Sequence, residues 1–371
     1  MIVHLFEDQK FIDVTIENFE SVAAGKNRYI VFSNNNQLKR VARKKDVTIL
    51  PNSSYKLDLG FIFQDCKLLI IHFLSPIKLY ILKHKPDHVK ILWSVWGSDA
   101  YDHFQKQHIH EPLTQKIRKR SLYHFFKFFW VYTLYHFLRY RVKPIGKELE
   151  SLRQINYVST VLPYEFELIK NEFDLNAYYI DYNYGANDFT AFPNVKLGDS
   201  VLVGNSATAS NNHFDLFDII KETNKKLIVP LNYGAFDYKK YCRKVILKGE
   251  LLFGDKFTPI TTYLSKNEYD KLLLSCNTAV MYHVRQQALG NIFSALFMGI
   301  RVFLNKNSAT YTFLKNEGMM VFDLKEDYKL IGVELEESKK ENNKNLVLKL
   351  RGRKVIQEKV QTIVDLYKQC H

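Results

Sequence analysis

The sequence has little of what several protein classes need. It contains four cysteines in 371 residues, widely separated and with no Cys-x-x-Cys pair. A zinc cluster and a disulfide framework are therefore not predicted, and a reducing cytoplasm is the compartment that fits. Nine prolines and fifteen glycines exclude a collagenous or low-complexity chain. The N-terminal apolar run meets Glu7 and Asp8 almost at once, which predicts no secretory signal.

The short catalytic motifs are missing as well. No Asp-x-Asp, His-Glu-x-x-His or closely spaced Cys/His cluster occurs, so a catalytic metal is not indicated and no cofactor is expected. The Gly-x-Ser-x-Gly elbow of covalent hydrolases is absent too. What is present is a chain with 46% hydrophobic residues and a formal charge of +14. Its length predicts two domains, and its charge predicts an anionic partner: nucleic acid, a membrane surface or a phosphorylated small molecule.

Short apolar runs alternate with longer amphipathic ones, which is typical of β–α–β units around parallel sheets. Runs such as LLIIHF and KLIVP are apolar at nearly every position, as expected for strands covered on both faces. The pattern predicts strands at Ile2–Leu5, Arg28–Phe32, Leu68–Phe73, Lys90–Val95, Tyr157–Thr160, Ser200–Val203, Lys226–Val229, Thr278–Tyr282 and Arg301–Leu304. It predicts helices at Asp13–Ala23, Asn211–Glu222, Asp237–Lys248, Lys266–Ser275 and Gln287–Met298, with Gly249 and Gly299 as helix ends.

One stretch breaks the alternation. Residues Asp181–Ser200 are rich in glycine, proline, asparagine and aspartate, which indicates a linker between two α/β domains. We expect an N-terminal, acceptor-side domain at residues 1–185 and a C-terminal, donor-binding domain at residues 186–371. Charge-rich helices within Leu335–Tyr367 would close the second domain.

The segment Lys116–Lys143, here called the basic aromatic segment, has basic residues at both ends, aromatic residues in the middle and no acidic residue. It is interpreted either as an interfacial helix on an anionic membrane or as a buried aromatic helix pair. A spanning helix is a third alternative, although Ser121–Leu138 is slightly short and contains Lys127. Nucleic acid is not expected, since no RNP-type strand or helix-turn-helix pattern occurs. The residues predicted at an acceptor or membrane surface are Trp96, Lys119, Arg120, Phe125, Phe128, Phe129 and Trp130.

Two loops in the C-terminal half follow predicted strands. Gly204, Asn205 and Ser206 form the first loop, and small residues of this kind let backbone amides approach an anion. An ordinary strand-to-helix turn is the alternative. A helix capped by Ser210 or Asn211 is expected to follow.

The second loop adds a basic residue. Arg285, Gln286 and Gln287 enter a predicted helix, and Gly290 and Asn291 lie in its first turns. An arginine beside a helix N-terminus would neutralise a diphosphate. The glutamines could bind sugar hydroxyls, or could simply be solvated or capping residues.

In the N-terminal half, Asp99 follows a strand and the turn-forming Gly97, where a carboxylate could act as a base or bind a hydroxyl. It could equally be a helix N-cap. His72 ends another predicted strand, and a lone histidine there is either a catalyst or a satisfied core residue.

Several motifs together resemble one family. WGSDAY, LVGNSATASNNH, VPLNYG and the pair LLLSCN and RQQALGN occur in family order between about His72 and Asn305. They resemble the TDP-N-acetylfucosamine:lipid II N-acetylfucosaminyltransferases, also called 4-alpha-L-fucosyltransferases (glycosyltransferase family 56). The resemblance implies an α/β GT-B fold, with two Rossmann-like domains whose parallel sheets face a cleft, and no metal requirement.

By that resemblance several residues match family motifs. The matching residues are Gly204, Asn205 and Ser206 in a glycine-asparagine-serine loop; Arg285, Gln286 and Gln287 at the donor-site helix; Trp96, Gly97 and Asp99 in a tryptophan-glycine-x-aspartate segment; and His72 on the preceding strand. This chain departs from the family pattern at three places. The basic aromatic segment is longer and more aromatic than expected, and the neighbours of Gly290 differ. The family also has glycine where this chain has Phe73.

The resemblance predicts a glycosyltransferase. We expect it to move a deoxyamino sugar such as N-acetylfucosamine from a nucleotide diphosphate, in the family TDP, to a polyprenyl-diphosphate-linked saccharide. The enzyme would work peripherally at the cytoplasmic face of the bacterial inner membrane. Gly204–Ser206 amides, Arg285 and the helix N-terminus would hold the diphosphate, and Asp99 or His72 would take the acceptor proton. A transferase of a different sugar in capsule or O-antigen assembly, and a non-catalytic sugar-nucleotide or glycan-binding protein, remain as alternatives.

Overall fold

The chain forms two parallel β-sheets. The computed structural model describes residues 1–9, 11–34, 38–39, 41–52, 58–101, 109–119, 148–182, 196–234 and 238–370. The first sheet has the order β3-β2-β1-β4-β5-β6-β7 and the second the order β10-β9-β8-β11-β12-β13. All strand pairs in both are parallel. The strands are β1 (Ile2–Glu7), β2 (Asn27–Phe32), β3 (Val47–Leu50), β4 (Leu68–His72), β5 (Lys90–Ser94), β6 (Tyr157–Ser159), β7 (Tyr178–Tyr179), β8 (Ser200–Val203), β9 (Leu227–Pro230), β10 (Phe257–Ile260), β11 (Cys276–Met281), β12 (Arg301–Leu304) and β13 (Phe322–Asp323).

Helices connect the strands and cover the sheets. Strands β4, β9, β11 and β12 are buried at every position, as expected for strands of a parallel sheet that helices cover on both faces. The helices are α1 (Ile12–Ala23), α2 (Leu59–Phe63), α3 (Pro76–Lys83), α4 (Ser98–Tyr101), α5 (Pro112–Lys119), α6 (Glu165–Glu172), α7 (His213–Ile219), α8 (Tyr238–Phe253), α9 (Lys266–Leu274), α10 (Leu289–Phe297), α11 (Ala309–Asn316), α12 (Leu324–Asp327), α13 (Glu337–Arg351) and α14 (Arg353–Gln369).

The chain divides into two compact units whose boundaries differ from the division at residue 185. Unit 1 contains residues 1–105, 121–186 and 353–371, and unit 2 contains residues 106–120 and 187–352. Helix α14 returns to unit 1 because Val360, Ile363 and Val364 pack with the core of the first sheet. Helix α5, early in the chain, belongs to unit 2 because it packs on α7.

Both sheets reverse their strand order at one place. The order changes direction between β1 and β4 in unit 1, and between β8 and β11 in unit 2. The loops that leave two such strands diverge to opposite sides, which opens a crevice at the carboxyl end of the sheet where ligands bind in α/β proteins. We call these two places the unit 1 switch point and the unit 2 switch point.

Two details of the sequence prediction need correction. Gly249 does not end a helix: it lies inside α8, where a Cβ atom would sit 2.2 Å from the Phe257 ring, so glycine is needed there for close packing. The helix expected at Asn211–Glu222 is shorter, since α7 begins after Asn212, whose φ of 53° and left-handed backbone break it from the preceding turn. Gly299, with φ 79°, ends α10 as predicted.

Candidate functional site

The unit 2 switch point is lined by the loops that follow β8 and β11. Gly204 begins the first loop with φ 69°, and a Cβ atom there would lie 2.8 Å from Asn211 Oδ1 and 3.0 Å from His213 Nε2. Only glycine permits this approach of the backbone to two polar side chains. The second loop runs from Tyr282 to Ala288, which leads into α10.

A network of side-chain amides joins the two loops. Asn205 Oδ1 accepts hydrogen bonds from His283 Nε2 at 3.2 Å and from Gln287 Nε2 at 3.0 Å. Asn211 Oδ1 accepts from the Asn205 backbone N–H at 2.9 Å and from His283 Nε2 at 3.0 Å. Ser210 Oγ donates to Gln287 Oε1 at 2.5 Å. The predicted residues Asn205 and Gln287, far apart in sequence, therefore belong to one site.

His283 is locked in one protonation state by this network. Its Nε2 faces two carbonyl oxygens, so that nitrogen carries the proton, and Nδ1 is a buried acceptor with no hydrogen-bond partner among the described residues. Burial, followed by the charge of Arg285 and then His213, lowers the pKa of His283 to about 3. His283 is thus a neutral donor to the two asparagines near neutral pH.

Helix α10 presents an N-terminus suited to an anion. Ala288, at the N-cap position with φ 58°, has no side chain that could cap the helix. Gly290 in the first turn is exposed, and no heavy atom lies within 4 Å of the position of a Cβ atom there. The half-buried Arg285 lies just before the helix, and its Nη1 donates to the Gln286 carbonyl at 2.9 Å. The positive end of the helix dipole and the Arg285 guanidinium therefore lie close together in the chain at the start of α10.

The other predicted residues of this loop have different surroundings. Gln286 is buried, and its Oε1 has no hydrogen-bond partner among the described residues. Asn291 is half-buried in the first turn of α10. One expectation needs correction: the N–H of Gly204 already donates to Val280 O, and that of Asn205 to Asn211 Oδ1. These two amides shape the site and do not point at a diphosphate.

Helix α5 is anchored beside the unit 2 switch point. Asp215 caps it by accepting from the Leu113 and Thr114 N–H groups at 2.8 and 2.9 Å. Asn212 accepts from the Glu111 N–H at 2.9 Å and donates to Tyr282 O at 3.0 Å, so one side chain contacts both α5 and the second loop. The start of the basic aromatic segment is therefore held by unit 2.

The unit 1 switch point contains a pair of buried histidines. His4 of β1 and His72 of β4 join through Nδ1 and Nε2 at 3.1 Å. Asn27 gives both of its amide hydrogens elsewhere, to Glu20 Oε1 and Ala23 O, so its Oδ1 accepts from His4 Nε2 at 3.4 Å. His4 Nδ1 must then accept from His72 Nε2.

This chain of hydrogen bonds also determines the state of the second ring nitrogen of His72, Nδ1, at the end of β4. His72 Nδ1 carries no proton in this arrangement and has no hydrogen-bond partner among the described residues. Burial holds the pKa of His72 well below its ordinary value, and His4 and the Lys78 charge lower that pKa further. The ring is therefore neutral near neutral pH. The His72 ring also stacks on the Phe6 ring, with ring centroids 4.0 Å apart.

The backbone turns sharply just after His72. Phe73 has φ 60°, in the left-handed region that disfavours a residue with a side chain. Lys78, fully buried, holds this corner by donating from Nζ to His72 O and Phe73 O at 2.5 and 2.9 Å. The resembled family has glycine at position 73, and glycine adopts this backbone geometry without strain, whereas phenylalanine is strained in it.

Asp99 is saturated by structural hydrogen bonds. Its carboxylate accepts from the Leu74 N–H at 2.9 Å, from Trp93 Nε1 at 3.0 Å and from the Trp96 N–H at 3.0 Å. Burial raises the pKa of Asp99, while these donors act in the opposite direction. Gly97, with φ 114°, gives the predicted sharp turn. Asp99 thus joins the loops after β4 and β5, and its geometry is that of a positioning residue.

Most of the basic aromatic segment lies outside the described residues. Arg120, Phe125, Phe128, Phe129 and Trp130 are among them, and of Lys119 only the helical backbone is described. Trp96 is half-buried, with its ring edge-on to Phe11 at 5.1 Å. In the part of the chain that the structure covers, no helix has the length and apolarity required to span a bilayer.

Sequence reasoning missed several residues of both switch points. His4, Asn27 and Lys78 look like ordinary members of a strand, a strand start and a helix. The β1–β4 pairing places His4 beside His72, and the β1–β2 pairing places Asn27 beside His4. Lys78 returns to the His72 carbonyl from α3, the helix that follows β4. His283 follows a buried strand as Asn205 does, so the rule that ligands bind at strand ends could have found it.

Comparison with known proteins agrees with this architecture. Residues 186–341 match the family described as 4-alpha-L-fucosyltransferase glycosyl transferase group 56, which confirms the resemblance drawn from the motifs. HepE of Anabaena, solved with UDP and glucose, matches with TM-score 0.65 and 10% identity over 99% of this chain and 100% of that one.

Two further solved structures match over the full chain. The Escherichia coli trehalose-6-phosphate protein bound to UDP-2-fluoro glucose gives TM-score 0.62 and 10% identity over 100% of this chain and 99% of that one. The N-terminal domain of trehalose-6-phosphate phosphatase from Candida albicans gives TM-score 0.62 and 10% identity over 100% and 96%. The predicted GT-B fold, with two Rossmann-like parallel sheets, is confirmed.

Proposed function

We propose that this chain, a GT-B glycosyltransferase whose residues 186–341 match 4-alpha-L-fucosyltransferase group 56, transfers a deoxyamino sugar such as N-acetylfucosamine from a TDP-type donor to a lipid-linked saccharide. The observation that carries the proposal is the unit 2 switch point, where Arg285 and the N-terminus of α10, whose N-cap residue Ala288 makes no side-chain hydrogen bond, lie beside a fixed surface of amides. That combination offers cationic and N–H groups to a diphosphate and hydrogen-bonding groups to a sugar.

The leaving group determines what unit 2 has to do. When the bond from the anomeric carbon to the diphosphate oxygen breaks, the electron pair stays with the nucleoside diphosphate and its negative charge grows. Arg285 and the N–H groups at the start of α10 would stabilise that charge in the transition state. The Gln286 Oε1, buried and without a described partner, and the Gln287 amide would contact sugar hydroxyls or the acetamido group.

The acceptor hydroxyl must lose a proton as its oxygen bonds to the anomeric carbon. His72 Nδ1 is the group best prepared to receive that proton, because the His4–Asn27 chain leaves it unprotonated and without a described partner. Asp99, whose oxygens are already occupied by three donors, would serve by fixing the loops around His72. The acceptor would be a polyprenyl-diphosphate-linked saccharide at the cytoplasmic membrane face, as in the resembled family.

The test is transfer by the purified chain with a TDP-sugar and a lipid-linked acceptor. Arg285→Ala should lower kcat/KM by about 10³-fold or more, because a charge-stabilising donor is lost. Arg153→Ala, which removes an exposed arginine paired with Asp174 in unit 1, is the matched control and should keep activity. Wild-type turnover in Arg285→Ala would remove the donor assignment.

Two alternatives are separated by simple readouts. A non-catalytic sugar-nucleotide-binding protein would bind the donor without releasing free nucleoside diphosphate when acceptor is added. A transferase of another sugar would be recognised in a thermal-shift panel over TDP-, UDP- and GDP-sugars, where the largest stabilisation identifies base and sugar.

A further inference from the structure

Helix α8 of unit 2 has an outer face that combines cations with exposed leucines. Leu247 is 65% exposed and Leu251 is 79% exposed, and they are the two most exposed leucines among the described residues. Five basic residues lie on the same helix with a single acidic one, Glu250; they are Lys239, Lys240, Arg243, Lys244 and Lys248. None of the five forms an ion pair with a described residue.

The arrangement around the helix axis is ordered. At about 100° per residue, Lys240, Leu247 and Leu251 fall within about 20° of the centre line of the outer face. Three cations flank this line within an arc of about 140°, whereas Lys239 lies farther round, about 100° from it. Arg243 lies on one side, and Lys244 and Lys248 lie on the other. The opposite side packs into unit 2 through Cys242, Val245 and Phe253.

We propose that this α8 face binds an anionic lipid bilayer, with the two leucines entering the headgroup boundary and the cations contacting lipid phosphates. Leucines flanked by Lys and Arg are the composition of interfacial helices, whose long basic side chains reach the headgroups while the apolar ones are buried. The surface complements an anionic partner only: a second copy of the same face would oppose like charges, and so would the basic aromatic segment.

This inference deepens the proposed function, on which it rests, since a lipid-linked acceptor requires the enzyme to reach a membrane. It adds a contact that the basic aromatic segment does not supply: a surface on the donor-binding unit itself. The Arg285 loop and α8 belong to the same compact unit, so a bound α8 would hold the donor site at the bilayer surface.

The experiment is flotation of the purified full chain with vesicles of phosphatidylcholine alone or mixed with phosphatidylglycerol. Leu247→Ser with Leu251→Ser, and separately Lys240→Ser with Arg243→Ser and Lys244→Ser, should each weaken binding to the mixed vesicles by about tenfold or more. Circular dichroism and thermal melting establish that each variant is folded.

Matched controls test whether position matters. Lys339→Ser with Lys344→Ser and Lys349→Ser removes the same charge from α13, and Leu168→Ser with Leu348→Ser removes two leucines that are 42% and 40% exposed. These should change vesicle binding less than threefold. Equal losses in the α8 and α13 variants would overturn the proposal in favour of diffuse charge. Loss on removing the cations but not the leucines would also overturn it, because the face would then bind polyanions without entering a membrane.

Activity is measured apart from binding. Transfer to a water-soluble acceptor analogue with a short prenyl chain should be unchanged in all α8 variants. A wild-type chain that binds vesicles through α8 but transfers no sugar would remove the proposed function and leave this inference standing. Wild-type vesicle affinity in both α8 variants would remove the inference, whatever the transferase result.

Discussion

The two switch points each contain a buried histidine, but the hydrogen-bond networks that hold these histidines differ. In unit 1, two histidines bond directly to each other, and the chain from Glu20 through Asn27 and His4 determines the state of a single atom, His72 Nδ1. In unit 2, His283 is one member of a broad amide surface that fixes two loops. Under the proposed function, unit 1 would move one proton and would need one prepared nitrogen, whereas unit 2 would hold a diphosphate sugar and would need many fixed contacts.

Both switch points also contain a strained residue. Phe73 has φ 60° next to the prepared histidine, and Ala288 has φ 58° at the start of α10. In unit 1 the strain is held by a buried ammonium, since Lys78 donates to the carbonyls on both sides of the turn. In unit 2 the strained residue is the N-cap of α10, Ala288, whose methyl side chain cannot accept a hydrogen bond from the helix N–H groups. Backbone strain thus accompanies the candidate site in each unit.

The largest expected effect is on turnover in unit 1. His72→Phe should lower kcat by about 10³-fold with little change in donor KM, because the proposed proton acceptor is lost while the proposed donor site in unit 2 is intact. Steady-state kinetics with TDP-sugar measure the two constants. His84→Phe, an exposed position in the same unit, is the control. Full turnover in His72→Phe would show that His72 does not receive the acceptor proton, and unit 1 would then have no assigned proton site.

The second effect is on the loops around His72. Asp99→Ala should lower the free energy of unfolding by about 3 kcal/mol or more, since the Leu74 and Trp96 N–H groups and Trp93 Nε1 lose their buried acceptor. Urea unfolding gives this number. Asp46→Ala, which removes an exposed carboxylate in an i,i+3 pair, should cost less than about 0.5 kcal/mol. A small stability loss with abolished activity would instead make Asp99 catalytic.

Acid should destabilise both units through their histidines. Burial lowers the pKa of His4, His213 and His283 to about 3 from 6.5, so the unfolded chain binds protons first as the pH falls. The contribution of these three histidines to stability is complete above 6.5, their pKa in the unfolded chain, and is lost progressively as the pH falls below that value. From about pH 6.5 to about pH 5.5 the three should remove about 3 kcal/mol of unfolding free energy.

Single substitutions divide this loss between the units. His4→Gln and His213→Gln should each reduce the pH dependence by about 1 kcal/mol, measured by urea unfolding at the two pH values. His88→Gln, at an exposed position, should leave it unchanged. If neither buried substitution alters the pH dependence, the two histidine clusters do not set the acid sensitivity of the fold.

Sequence patterns predicted the interior of both sheets and missed their borders. All nine predicted strands occur, and the four that were missed among the described residues, β3, β7, β10 and β13, are the edge strands. Central strands are apolar at nearly every position because helices cover both faces, but an edge strand of two to four residues is half-exposed and reads as a turn.

Sequence patterns predicted the candidate site only where its residues are close together in the sequence. Arg285, Gln287 and Gly290 lie on one loop and helix start, and their types indicate an anion site. The His4–His72 pair depends on β1 lying beside β4 with β2 on its other side, which no local pattern contains. Asp99 was visible as a carboxylate after a strand, but the three donors around it come from separate positions.

The smallest effect tests the strain in unit 2. Ala288→Gly should raise the free energy of unfolding by about 1 kcal/mol or less, because glycine adopts φ 58° without the cost that a Cβ imposes. The comparison with unit 1 sharpens here: Phe73→Gly relieves the same strain but loses a ring that packs edge-on to Trp96 at 6.1 Å, so its net gain should be smaller. Urea unfolding of both variants measures the difference. Destabilisation by Ala288→Gly would show that the turn before α10 is not strained.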